Sequence, residues 1–229
     1  MKTVVISLGG SLIVPDGGID IRFLKKFRAL ILAHVRRGVR FVIITGGGTV
    51  CRDYQNALRD LGRRDATDLD WIGIRISRLN AHLVRIMFGS RAPDRFITDA
   101  TNVHPREYRK YPLLVAGGEK PGQSTDDVAV KLAIRFGAHE LINLSNIRYV
   151  YDRDPRKHKD AKPYHEMSWK ELKKLVGSKW TPGANVPFDP RATALAVKHH
   201  RTLFFLHGGD MKNLSRCLAG KKFEGTIVQ

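Results

Sequence analysis

The sequence predicts an α/β fold on a largely parallel sheet, on three grounds. Short β-branched runs alternate with stretches whose apolar residues recur at helical spacing, as in strands joined by crossover helices. Four of the expected strands run directly into glycine clusters. With 229 residues and 42% hydrophobic content, the chain can bury a substantial core as one large domain or two lobes.

Val4 to Leu8 reads as the first strand. A helix follows over Ile19 to Arg37, with Leu24, Phe27, Ile31 and Val35 at helical spacing and Gly38 as its stop. Val39 to Thr45 is the second strand, and Tyr54 to Leu61 is helical. Thr67 is read as the cap of a longer helix through Met87. Leu113 to Ala116 is a strand, Ser124 to Phe136 a helix, and Leu141 to Leu144 a further strand. Ser168-Trp169-Lys170-Glu171 has capping-box spacing and opens a helix through Val176. Asp189-Pro190 starts another, a capping carboxylate followed by proline where no amide donor is needed. Leu203 to Leu206 and Thr226 to Val228 complete the sheet.

The glycine clusters are Gly9-Gly10, Gly46-Gly47-Gly48, Gly117-Gly118 and Gly208-Gly209. A parallel sheet gathers such loops at its carboxyl edge, where ligands bind. Glycine there lets backbone amides approach a phosphate, and a following helix N-terminus adds favourable potential. One such pair is ordinary turn chemistry; four on one edge point to a phosphate-rich ligand. Two familiar phosphate motifs fail on single residues. Gly117 to Ser124 has Walker A glycine spacing, but Gln123 stands where the phosphate-binding lysine belongs. Gly46 to Cys51 approaches a dinucleotide fingerprint, but Cys51 replaces the small third residue.

Composition excludes several classes. No apolar run approaches the roughly 20 residues of a membrane span. The N-terminal apolar run is broken by Gly9-Gly10 before any cleavage site, so the expectation is a cytoplasmic protein. Cys51 and Cys217 lack metal-ligand neighbours at zinc spacing and read as reduced structural thiols. The nine histidines, His199-His200 included, form no ligand constellation and are assigned to the surface. The formal net charge of +18 opens the alternative of a nucleic-acid-binding module. Its cations are scattered, with no basic tail and no aromatic interleaving, which favours a basic surface for small polyanionic substrates.

Taken in order, several segments resemble the amino-acid-kinase family. They are Ile6-Ser7-Leu8-Gly9-Gly10-Ser11, Ile44-Thr45-Gly46-Gly47-Gly48 with Arg52, Pro121-Gly122-Gln123-Ser124-Thr125-Asp126, Ser145-Asn146-Ile147, and Val150-Tyr151-Asp152-Arg153-Asp154-Pro155. Asp70-Trp71-Ile72-Gly73-Ile74 and the Pro121 to Asp126 loop are most similar to UMP kinases of the archaeal type. The resemblance implies one domain, a three-layer αβα sandwich with an acceptor lobe over about 1–137 and an ATP lobe over about 138–229. It also implies phosphoryl transfer from ATP to UMP, Mg²⁺ arriving with the nucleotide rather than on a dedicated metal site, and a homo-oligomer, hexameric by resemblance.

Residue by residue, the resemblance implies that Ser7, Leu8, Gly9, Gly10 and Ser11 wrap the ATP phosphates, with Gly48 and Arg52 facing ATP. Ser145, Asn146, Tyr151 and Asp154 would hold the ATP nucleoside. Gly47 would touch the UMP phosphate, Asp70 the ribose hydroxyls, and Glu119, Lys120, Pro121, Gly122, Gln123, Ser124 and Thr125 the rest of UMP. Catalysis falls to Asp126 beside the acceptor phosphate. Two departures stand out: Ser7 occupies a position where many members carry a phosphate-binding lysine, and Arg148 replaces a common acidic residue. Arg148 is therefore expected as a substitute cation near the ATP phosphates.

By residue type alone, Asp70 reads equally as a solvated charge in a first helical turn, and Tyr151 as a core residue. Asp189 reads as a helix cap, and Asp152 to Lys162 as a solvated charged loop with one functional aspartate, Asp154. Rival functions are a same-fold kinase with another small acceptor and a catalytically silent nucleotide-binding paralogue.

Overall fold

A computed structural model describes residues 2–177 and 186–229. In chain order the strands are β1 (Thr3–Leu8), β2 (Arg40–Thr45), β3 (Leu113–Ala116), β4 (Glu140–Ser145), β5 (Val150–Tyr151), β6 (Pro163–Tyr164), β7 (Glu166–Met167), β8 (Thr202–His207) and β9 (Thr226–Val228). The helices are α1 (Gly10–Ile13), α2 (Ile21–Arg36), α3 (Gly48–Asp60), α4 (Ala66–Phe88), α5 (Thr125–Arg135), α6 (Trp169–Val176), α7 (Pro190–Lys198) and α8 (Met211–Leu218). Seven strands form one sheet in the order β3-β2-β1-β4-β8-β9-β7, and β5 and β6 pair as a separate hairpin. The run from β3 to β8 is parallel; β9 is antiparallel to β8.

Side-chain alternation divides the core between the two faces of this sheet. Val5, Val42, Ile44, Leu114 and Leu141 pack with α5, α6 and α7 residues such as Val128, Leu132, Leu172 and Ala196. Val4, Ile6, Phe41, Ile43, Ile142 and Leu144 pack with Phe27 and Ile31 of α2, Val84 of α4 and Leu214 of α8. Helices thus cover both faces, which is the expected three-layer sandwich. Both faces being covered explains why β2 is buried along its whole length. The single sheet runs through both expected lobes, whose division falls between α5 and β4.

Most expected elements recur with shifted ends. The cap of α4 is Asp65 rather than Thr67; its carboxylate accepts from Thr67 N at 2.9 Å and Asp68 N at 3.1 Å. Ser168 and Glu171 form the expected capping box, and Asp189 caps α7 by accepting from Ala192 N at 2.8 Å. Helix α3 starts at Gly48, inside the glycine triplet and ahead of the expected Tyr54. The elements not expected are α1, α8 and the short strands β5, β6 and β7, mostly too brief for periodicity to register. His34 departs from the surface assignment: it is buried in α2, and desolvation lowers its pKa.

The carboxyl edge is built by backbone packed on backbone. A Cβ placed on Gly10 would lie 2.2 Å from Gly48 N and 2.5 Å from Gly46 O, and Gly48 itself has φ +73°. The loops also extend the sheet's hydrogen bonding past the strand ends. Gly9 N donates to Leu144 O at 2.9 Å, Gly46 N to Leu8 O at 2.9 Å, and Gly208 N to Ser145 O at 2.8 Å. Gly10→Ala should therefore cost more than about 2 kcal/mol, because no flexible side chain can yield. Urea unfolding of the variant checks this; a change within about 0.5 kcal/mol would contradict the packing.

Candidate active site

Three contiguous hollows lie along that edge. The first, about 450 Å³, is lined by Ser11, Gly47, Gly48, Arg52, Asp70, Gly118, Gln123, Ser124 and Thr125, among others. The second, about 270 Å³, is lined by Ser145, Asn146, Ile147, Tyr151, Asp154, Leu175, Val186 and Pro187, with Arg153, Pro155 and Arg156. Between them a corridor of about 220 Å³ is lined by Ser7, Gly9, Gly10, Ser11, Gly48, Arg52, Thr125, Asp126, Asn143 and Ser145, among others. Each nucleoside-sized hollow opens onto a passage lined by Gly9, Gly10, Gly46 and Gly48.

The corridor's carboxylate is set by strand register. Ser7 and Asn143 are partners across the β1–β4 pairing, and both share the sheet face of Val5 and Leu141, over which α5 packs. Helix α5 begins at Thr125 with Ser124 as cap, and this brings Asp126 to the same point. Ser7 Oγ donates to Asp126 Oδ1 at 2.9 Å, and Asn143 Nδ2 approaches it at 3.4 Å. Burial pushes the Asp126 carboxyl up to about 7; the Ser7 bond opposes that shift and the Asp189 charge reinforces it. Among the described residues, Asp126 is the one acidic side chain lining the corridor.

Helix α4 carries the acceptor-side hollow. Asp70 lies one turn inside it, half-buried, and its Oδ2 accepts from Gly122 N at 2.6 Å. Asp70 is thus neither in a first turn nor simply solvated. Arg78, one helical face further on, donates to Gly118 O at 2.9 Å and Glu119 O at 2.8 Å. Asn80 donates to Gly46 O at 2.8 Å, and Arg191 of α7 donates to Gly122 O. These braces were not legible in sequence, since an arginine on a helix carries no sign of which loop it will hold. Cys51 and Gln55 also line the hollow. The Cys51 thiol is pushed up by burial and stays protonated at neutral pH. Gln123 Oε1 is buried there without a hydrogen-bond partner among the described residues.

Arg52 spans the two glycine loops, donating to Thr49 Oγ1 at 2.9 Å and reaching Ser11 Oγ at 3.4 Å. In the second hollow, Tyr151 stands edge-on to Tyr149, with ring centroids 6.2 Å apart, and lines the wall rather than the core. Asp154 sits in the loop between β5 and β6, and its carboxyl is held below the usual range chiefly by the Arg156 guanidinium.

Five expected site residues lie apart from the lining. Leu8 is fully buried in the core, leaving only its backbone toward the loop. Glu119 is buried and turned inward: its carboxylate accepts from Thr101 Oγ1 at 2.9 Å and pairs with Lys131 at 3.4 Å. Lys120 is exposed, and none of Lys120, Pro121 and Gly122 borders a hollow. Arg148 does not meet the expectation of a cation at the phosphates. It pairs with Glu224 at 3.1 Å and lines none of the three hollows, because its short loop points it to the start of β9.

The amino acid kinase family model matches residues 2–207. A uridylate kinase of Staphylothermus marinus is 32% identical over 99% of this chain and 98% of its own length. One of Methanospirillum hungatei is 35% identical over 100% and 95%. The crystal structure of a uridylate kinase from Archaeoglobus fulgidus covers both chains completely at 30% identity with a TM-score of 0.82. A UMP kinase structure from Bacillus anthracis, at 19% identity and TM-score 0.79, shares the fold. With its glycine edge, three-layer sheet and full-length relatives in agreement, this chain belongs to the amino acid kinase family.

Proposed function

We propose that the protein is a nucleoside monophosphate kinase that transfers the γ-phosphoryl group of ATP to UMP. The observation that carries this reading is the pair of nucleoside-sized hollows joined by a glycine-floored corridor. Relatives named uridylate kinase along the full chain support it.

In this reading UMP occupies the first hollow. Asp70 accepts hydrogen bonds from its ribose hydroxyls, and the amide of Gln123 supplies both a donor and the orphaned acceptor that a uracil edge requires. Gly47 and Gly48, at the start of α3, offer amides and the helix N-terminus to phosphate. The ATP nucleoside occupies the second hollow, against Tyr151 and the apolar side chains of Ile147, Leu175 and Val186. An oxygen of the UMP phosphate attacks the γ-phosphorus in the corridor. One P–O bond forms, the bond from γ-phosphorus to the bridging oxygen breaks, and its electron pair leaves on the β-phosphate of ADP. A phosphate nucleophile is already ionised near neutral pH, so positioning and charge stabilisation dominate and no general base is required. Arg52, a fixed fork between both glycine loops, stabilises the transferring oxygens. Mg²⁺ bound with the nucleotide supplies further charge neutralisation, and Asp126 is the corridor carboxylate that would hold it.

A coupled assay of ADP release should show turnover with UMP well above that with AMP, GMP or carbamate. Turnover with another acceptor and none with UMP would sink the reading. Asp70→Ala should raise the UMP KM far more than the ATP KM, by a loss of about 1.5–3 kcal/mol for a charged hydrogen-bond partner. Equal effects on both substrates would mark Asp70 as structural.

Asp126 also imposes a pH dependence on the nucleotide-free protein. Its folded pKa, about 7, lies above its unfolded value, so the native state binds the extra proton between about pH 4 and pH 7. The stability contributed by that proton is lost as pH rises through about 7. Asp126→Asn removes the titration, so the variant should gain stability relative to the parent between pH 5 and pH 8. Thermal unfolding of both proteins at these two pH values measures the difference; a constant difference would contradict the assignment.

A further inference from the structure

Asn146 and Arg156 are the two described residues that border both nucleoside-sized hollows, and Arg156 is the charged one. Its guanidinium grips Asp154, Nε to Oδ1 at 3.1 Å and Nη2 to Oδ2 at 3.2 Å, while its amide donates to the same Oδ1 at 3.0 Å. Three other arginines near this end of the cleft are committed elsewhere. Arg148 pairs with Glu224, and Arg153 lies between Asp152 at 3.3 Å and Asp160 at 3.6 Å. Arg78 is spent on the carbonyls of Gly118 and Glu119. Arg156 alone among these has a partner that itself lines the donor hollow.

We propose that Arg156 is a substrate-gated cation, held on Asp154 in the free protein and turned onto the nucleotide phosphates when the donor nucleoside engages Asp154. The proposal rests on the donor assignment made above and adds a residue to it. A carboxylate offers about four acceptor positions, and Arg156 already takes three of them. Nucleoside hydroxyls arriving at Asp154 compete for those lone pairs and weaken the arginine's hold. The released fork is long, flexible and more than half exposed, and it borders both hollows from which the nucleotides would extend their phosphates. Ser7 leaves the corridor without a lysine on the first strand, so Arg52 and Arg156 are the arginines that border the acceptor hollow. Phosphates leaving the two hollows would then meet Arg52 on α3 and Arg156 on the β5–β6 loop.

The gate makes a prediction of opposite sign for two ligands. Arg156→Ala should weaken MgATP binding tenfold or more, because a phosphate-binding cation is gone. It should leave adenosine binding unchanged or tighter, because the guanidinium no longer competes for the Asp154 carboxylate. Titration calorimetry of adenosine and MgATP with the parent, Arg156→Ala and Arg156→Lys reads both constants without an acceptor present. Lysine retains the charge but not the fork, so it should recover part of the MgATP affinity. Turnover in the coupled assay should fall tenfold or more in the alanine variant, and thermal unfolding should not move, given the exposed position. Equal losses for adenosine and MgATP, or no loss for either, would overturn the proposal. Failure of the UMP reading is seen separately, in the acceptor preference of the parent protein.

Discussion

The contact on which the site depends is the one between two stretches of bare backbone, Gly10 against Gly46, Gly47 and Gly48. Strands β1 and β2 end side by side in a parallel sheet, so their loops must leave the same edge within one strand spacing. Side chains at this point would force the loops apart. Glycine lets them close, and closure directs the start of α1 and the start of α3 into one corridor. Helix N-termini then point their amides into the space that would carry phosphate in the proposed reaction. Asn80 fixes the geometry from behind by donating to Gly46 O.

Around that corridor the charges are arranged by what burial permits. The charges of Asp189 and Asp127 raise the proton affinity of Asp126, and that of Asp127 raises Asp189's, with desolvation the larger cause for both Asp126 and Asp189. Asp127 is relieved by Lys131 at 2.9 Å, which also pairs with Glu119. Asp189 is held by the amide of Ala192 as the cap of α7. Among the described residues, Asp126 keeps only a hydroxyl and a distant amide as side-chain partners. It is therefore the member of the group whose charge state is most open to an arriving cation or phosphate.

The strongly basic composition acquires a local meaning in the same way. Some arginines are structural braces, as Arg78 and Arg191 are for the loop between β3 and α5. Others are neutralised on the surface, as Arg148 is by Glu224. Such exposed pairs contribute little to stability, so their value lies in where they hold a loop. Arg52 and Arg156 differ in facing the cleft.

Local chemistry made much of this legible in the sequence. Short β-branched apolar runs located the main strands, because a parallel strand covered on both faces is apolar along its length. Ser168 with Glu171, Ser124 and Asp189 announced their helices, because a cap bonds to amides only two or three residues away. The glycine clusters announced a phosphate edge for the same reason: each follows its own strand. Direction across long separations was beyond reach. That Ser7 meets Asp126, 119 residues on, follows from the β1–β4 register and the placement of α5. That Arg148 turns to Glu224, 76 residues away, while Arg156 turns toward the cleft, follows from how the β5–β6 hairpin sits beside the sheet. Sequence by itself determined which elements form and which residue types crowd the edge, and only the packed sheet decided which side chains share the corridor, since long-range neighbours are set by register and packing rather than by spacing along the chain.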